Sequence, residues 1–232
     1  MLTLLLILLP LLGTSIGAAS VLLPSRSLLR PLALRGFAAG VMTAASVWSL
    51  LLPAIEQSGH LGFFTFLPAF AGLWLGVLFL QALENRFPED GCSMLTFAVA
   101  LHNLPEGMAV GAALTAWHHG LLSLAGCAAL SLGIAVQNLP EGAIISLPLA
   151  SRGVGKRKAL GAGILSGIIE PMGSIVTMLL AELVLPFLPW LLSFSAGAML
   201  YVVVSELIND RQSSLWFMTG FSLMMLLDVA LG

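Results

Sequence analysis

Three glutamates, Glu106, Glu141 and Glu170, sit near the middle of long apolar runs, and two of them belong to a six-residue pattern that occurs twice. His102-Asn103-Leu104-Pro105-Glu106-Gly107 recurs as Gln137-Asn138-Leu139-Pro140-Glu141-Gly142, differing only at the first position. On a helix His102 shares a face with Glu106 and Gln137 with Glu141, while Asn103 and Asn138, three positions before their glutamates, nearly share it. Each copy therefore aims one carboxylate and two nitrogen or oxygen donors the same way. Pro105, Pro140 and Pro171 adjoin the glutamates. Each lacks an amide donor, which leaves the carbonyls of Leu101, Val136 and Gly167 without their helical hydrogen bond. A charge at the centre of an apolar run costs roughly 2.5–3.5 kcal/mol on insertion scales unless it meets a partner or a wet cavity. No lysine or arginine lies within these runs, and carboxylates crowded in a low dielectric repel one another. A divalent cation resolves that repulsion. Imidazole, carboxylate and amide ligation without thiolate suits zinc, iron(II), manganese or cadmium better than copper(I), and the donors suffice for two ions bridged by Glu106 and Glu141.

The elements that position these residues follow from composition. The chain of 232 residues is 59% hydrophobic and 9% charged, with a mean hydropathy of +1.04; an ordinary soluble domain is about one-quarter charged. Apolar runs long enough to cross a hydrocarbon core as helices read as Leu2–Ala19, Gly36–Ile55, Phe63–Leu83, Ser93–Ala116, Leu121–Leu149, Ala159–Val184, Trp190–Ile208 and Ser214–Leu231. The expected fold is thus an all-α membrane protein of eight transmembrane helices, one polytopic unit over 1–232 with no room for a soluble domain. Helices 4 and 5 then run in opposite directions, so the two motif copies form an inverted repeat, the arrangement that places transport sites near mid-bilayer.

All nine basic residues fall on odd-numbered connections: Arg26, Arg30 and Arg35, then Arg86, then Arg152, Lys156, Arg157 and Lys158, then Arg211. The positive-inside rule makes those connections cytoplasmic and sends both termini outward. The first run reads as a retained helix, since no basic segment precedes it and the arginines after a cleaved leader would begin outside. Loops after the first are short, so consecutive helices are antiparallel neighbours. Gly36 with Gly40, Gly107 with Gly111 and Gly163 with Gly167 read as close packing. Cys92 and Cys127 lie in a loop end and a span, which argues against a disulfide and excludes a thiolate cluster. Glu56, Glu182 and Asp228 near outer ends, and Glu206 and Asp210 beside Arg211 near an inner end, read as solvated or interfacial anchors. His60, His118 and His119 read as surface histidines, and Glu84, Glu89 and Asp90 as a charged cytoplasmic loop able to receive an exiting cation.

At the paired motif the chain resembles the ZIP family of zinc and iron transporters, and within it the bacterial GufA-like branch. The resemblance spans the whole chain: eight spans, outward termini, the HNLPEG and QNLPEG motifs and the glutamate-proline pair Glu170-Pro171. It implies a binuclear site with His102, Glu106, Gln137 and Glu141 at one metal position and Asn103, Glu106, Asn138, Glu141 and Glu170 at the other. Met42, within Ala39-Gly40-Val41-Met42, matches a methionine that approaches the first ion. The resemblance further implies uptake of zinc, or of cadmium, iron or manganese, as transported substrate with no cofactor. It also implies a homodimer and alternating access in which helices 1, 4, 5 and 6 move against 2, 3, 7 and 8. The short loops and absence of appended domains favour a bacterial cytoplasmic (inner) membrane, and no nucleic-acid partner is expected. Two departures stand out. Asn138 replaces an acidic residue found in some relatives, and the third loop is short and lacks histidine, so metal sensing by that loop is not expected. The rival readings are an intramembrane metal-dependent hydrolase, disfavoured by a single intramembrane histidine and no HExxH, and a proton-coupled carrier of another solute.

Overall fold

The computed structural model describes residues 1–23, 31–86, 91–208 and 213–231, without the side chains of 31, 32, 91–102, 206 and 231. Arg26, Arg30, Glu89, Asp90, Asp210 and Arg211 lie outside the described residues, as do the side chains of His102, Cys92 and Glu206. Every element among the described residues is helical. Helix α1 is Leu2–Ala19. Helix α2 starts as Pro31–Ala45 and continues through a π turn, Ser46–Leu51, into Leu52–Gln57. Helices α3 (Phe66–Arg86), α4 (Gly91–His118) and α5 (Leu124–Ser151) follow. Helix α6, Lys156–Leu179, is broken at Ile168, and α7, 181–207, contains Leu188–Val202 and ends in a π turn, Val203–Leu207. Helix α8 is Ser214–Leu231. Among the described residues six of these rods, α1, α2, α3, α5, α6 and α7, are long and apolar enough to cross a membrane. The chain is an integral membrane protein built as a helical bundle.

One sequence-based boundary is wrong. The loop expected at Leu185–Pro189 is helical, and the chain turns instead at Leu180, where φ is −119° and ψ 35°. Pro186 and Pro189 occupy the first positions of the turn Leu185–Phe187 and of the helix Leu188–Val202. There a missing amide costs nothing, because the first turn has no acceptor for it.

Helices pair where glycines remove the side chain between backbones. A Cβ built on Gly17 would lie 2.0 Å from the Leu139 carbonyl oxygen, and one on Gly142 2.0 Å from that of Thr14, which closes α1 on α5. In the same way Gly173 faces Leu104 and Gly107 faces Glu170, closing α6 on α4. Gly40 faces Phe217 and Gly220 faces Phe37, closing α2 on α8, while Gly197 faces Leu73 and Gly76 faces Phe194, closing α7 on α3. In lipid such close approach supplies the packing that apolar burial cannot.

These contacts occur twice over in one consistent correspondence. Leu139 and Gly142 of α5 match Leu104 and Gly107 of α4, as the motif requires, and the residues they face then pair Thr14 and Gly17 of α1 with Glu170 and Gly173 of α6. Gly40 and Phe37 of α2 likewise pair with Gly197 and Phe194 of α7, and Gly220 of α8 with Gly76 of α3. The sequence carries the same relation: Phe37-Ala38-Ala39-Gly40-Val41-Met42 and Phe194-Ser195-Ala196-Gly197-Ala198-Met199 share Phe-x-Ala-Gly-x-Met, and in each a π turn starts four residues after the methionine.

Candidate metal centre

Four elements bring the polar residues to one buried place. The motif copies lie mid-helix in α4 and α5, with Pro105 and Pro140 inside them. Glu170 lies in the first turn of Ile169–Leu179, immediately after the break in α6. Pro171 explains the break: it offers no amide to the Gly167 carbonyl. In the first turn of the new helix a carboxylate such as that of Glu170 is favoured by the helix dipole. Pro10 in α1 acts similarly, and here a substitute donor is visible, since Ser131 Oγ donates to the Leu6 carbonyl at 2.6 Å.

Asn103, Glu106, Gln137, Asn138 and Glu170 are fully buried and Glu141 is 1% exposed. Gln137 Nε2 donates to Glu106 Oε1 at 2.6 Å. Asn103 Nδ2 donates to the Ser166 carbonyl at 3.2 Å, and Asn138 Nδ2 to the Pro10 carbonyl at 3.5 Å. Thr14 Oγ1 lies 3.2 Å from Glu170 Oε1, and the Asn138 amide also bears on that carboxylate. Glu106 and Glu170 are both close enough to Glu141 to feel its charge, and Glu106 feels Glu170 as well. The helix carrying His102 places it one turn before Glu106.

Among the described residues, which leave out the His102 side chain, no three His, Cys, Asp or Glu side chains form a metal-binding group by themselves. The pattern of satisfaction fits a cation. Asn103 Oδ1, Glu106 Oε2, Asn138 Oδ1 and Glu170 Oε2 are buried without a hydrogen-bond partner. Amide oxygens and the oxygens of ionised carboxylates can only accept. Buried acceptors are normally paired, and leaving one unpaired costs about 1–3 kcal/mol, more for a charged group. Oxygen acceptors in excess over donors are what a hard or borderline divalent ion requires.

The structure adds residues that the sequence reading did not place here. Asp228, taken as an outer-end anchor, is instead only partly exposed and accepts from Ser49 Oγ at 2.8 Å; that same hydroxyl lies 3.5 Å from Gln137 Oε1. A chain of polar contacts thus runs from Asp228 through Ser49 and Gln137 to Glu106. Ser49 reaches this position from within the π turn of α2, whose extra residue per turn re-aims the side chain. Met42 is 1% exposed and packs in an apolar cluster with Met108, Ile144, Ile145 and Met199. Its carbonyl accepts from Ser46 Oγ at 2.8 Å, a hydroxyl that also lies 3.0 Å from Met199 Sδ. Glu56 and Glu182 are exposed as expected, as are His60, His118 and His119, whereas Glu84 is half-buried and accepts from the Tyr201 hydroxyl. Cys127 is a free, buried thiol.

Comparison with known proteins meets this geometry. Residues 89–228 match the family model described as ZIP Zinc transporter. The chain is 35% identical to the zinc transporter GufA of Myxococcus xanthus, over 80% of this chain and 81% of that protein. It is 32% identical to the zinc transporter ZIP11 of Xenopus tropicalis, over 85% and 87% of the two chains. It is 34% identical to the zinc transporter ZupT of Chlorobium phaeovibrioides, over 90% and 87%. The matched region contains both motif copies, the helix break at Glu170 and the partly buried Asp228, and the chain accordingly belongs to the ZIP family, whose members are transporters and not enzymes.

Proposed function

We propose that the protein carries zinc toward the cytoplasm through a mid-bilayer site on α4, α5 and α6, with cadmium, iron(II) and manganese as further substrates. The observation that carries this reading is the cluster of buried glutamates whose oxygens outnumber their donors, inside a bundle without lysine or arginine at that depth. His102, Glu106, Gln137 and Glu141 hold one ion, and Asn103, Glu106, Asn138, Glu141 and Glu170 a second, with the two bridging glutamates common to both. Asn138 in place of a carboxylate makes the second position the weaker.

In this reading α4 and α8 also span the membrane, which gives eight crossings, one transport unit over 1–232 and outward termini. Helix α4 has 28 residues and α8 has 18, and the arginines and lysines cluster on one side. The twofold correspondence supports alternating access. Pairs α1–α5 and α4–α6 exchange with each other under it, as do α2–α8 and α3–α7, so the bundle divides into a block bearing Glu106, Glu141 and Glu170 and a block that does not. Asp228 and Glu84, each eight positions beyond the matched glycines Gly220 and Gly76, stand as acids at opposite mouths of the path. Met42 lines the first position, and the homodimer and the bacterial cytoplasmic membrane complete the reading.

Cells expressing matched amounts of wild type, Glu106→Ala or Glu141→Ala test it. Uptake of radioactive zinc should be lost in each mutant, because each removes a ligand common to both positions; normal uptake by either one refutes the site.

A further inference from the structure

Thr14 is one of three hydroxyl residues in α1, with Thr3 and Ser15, and of these it alone is fully buried. It stands where three helices meet. Its carbonyl is the atom that a Cβ on Gly142 of α5 would strike at 2.0 Å, and its side chain is what a Cβ on Gly167 of α6 would strike at 2.9 Å. The hydroxyl has one proton and two acceptors in reach, the Pro10 carbonyl at 3.3 Å and Glu170 Oε1 at 3.2 Å. A carboxylate is the stronger acceptor. The other oxygen, Glu170 Oε2, is buried and has no partner.

The twofold correspondence gives this contact its meaning. Thr14 is to α5 what Glu170 is to α4: Gly142 packs on the carbonyl of Thr14 and Gly107 on that of Glu170, while Gly17 and Gly173, each three positions later, pack on Leu139 and Leu104. The place in α1 equivalent to a glutamate thus holds a threonine, and the two equivalents meet across the centre. A second glutamate there would add a negative charge to a site already crowded with them. A hydroxyl instead donates, taking one lone pair of Glu170 Oε1 and leaving Oε2 buried without a partner.

We propose that Thr14 is a positioning residue for the second cation position: its hydroxyl fixes the Glu170 carboxylate so that Oε2 is presented to the ion. This rests on the metal-transport reading above. Partners that orient a ligand are commonly worth about 10–100-fold in metal affinity, so the effect belongs in the concentration dependence of the cation.

The test compares full-length wild type, Thr14→Val, Thr14→Ala and Thr14→Ser, purified and reconstituted into liposomes. Zinc influx is followed against zinc concentration, and zinc-dependent thermal stabilisation is measured in detergent. Thr14→Val keeps the shape without the hydroxyl, and Thr14→Ala cannot clash if valine disturbs folding. The proposal expects both to raise the zinc concentration for half-maximal influx and stabilisation by about tenfold, with maximal rate less affected and Thr14→Ser close to wild type. Variants that melt earlier without zinc yet keep the wild-type zinc dependence would overturn it and reduce Thr14 to packing. A wild type that shows no zinc response, like Glu106→Gln run alongside, would instead overturn the metal reading and this proposal with it.

Discussion

Gly142→Ala places one methyl group into the seam between α1 and α5, and its consequence can be worked from distances. The added Cβ would sit 2.0 Å from the Thr14 carbonyl oxygen, 2.7 Å from the Ala18 nitrogen and 2.9 Å from the Thr14 carbonyl carbon. All three are backbone atoms, so no rotamer change relieves the clash; α1 must move outward by more than an ångström. Overpacking of this kind costs typically about 1–3 kcal/mol. For a chain of this size that corresponds to a melting temperature lower by roughly 2–12 °C, on the scale of about 2–4 °C per kcal/mol. Gly133 provides the control within the same helix, because nothing lies within 4 Å of a Cβ built on it. Gly133→Ala should be neutral or stabilising, since alanine is the better helix former by about 1 kcal/mol. Melting of the two purified variants in one detergent, followed by tryptophan fluorescence and size exclusion, makes the comparison. Equal melting temperatures would refute the glycine-closed seam, and with it the helix pairing on which the twofold correspondence depends.

Other predictions follow from single contacts. His102→Ala should lower zinc-over-manganese preference in competition uptake, because imidazole favours zinc and an all-oxygen set does not; unchanged preference would remove His102 from the site. Asp228→Asn should raise the zinc concentration for half-maximal influx by about tenfold through loss of an attracting charge at the mouth, leaving melting little changed. Ser131→Ala should lower stability by about 1–3 kcal/mol, because it strands the Leu6 carbonyl that Pro10 has already deprived of its helical donor; this is read as an earlier melting transition with zinc affinity intact.

The polar half of the site was legible in the sequence because membrane helices tolerate so few charges. Glu106, Glu141 and Glu170 announce themselves by depth, and helical spacing alone puts Asn103, Gln137 and Asn138 beside them. Asp228 was misread because position along a run is a poor guide to burial: it lies near the end of α8, yet Ser49 on the neighbouring helix draws it inward. Ser49 itself was invisible, because no hydrophobic period of 3.6 foretells a π turn. Thr14 carried a signal only in hindsight, since it is one of three hydroxyl residues in a largely apolar run and its meaning depends on which helix lies against it. The repeat linking α2 to α7 was present as Phe-x-Ala-Gly-x-Met but is made of residues common in any membrane helix. The α6–α7 boundary shifted because prolines at Pro186 and Pro189 suggest a loop from sequence while being compatible with a helix start.

The most direct measurement is zinc influx into liposomes loaded with a zinc-sensitive dye, comparing wild type with the double mutant Glu106→Ala and Glu141→Ala at equal, correctly folded protein. Saturable influx is expected in the wild type and none above empty liposomes in the double mutant. Saturable influx persisting in the double mutant would contradict it, because the ion would then cross without the buried carboxylates.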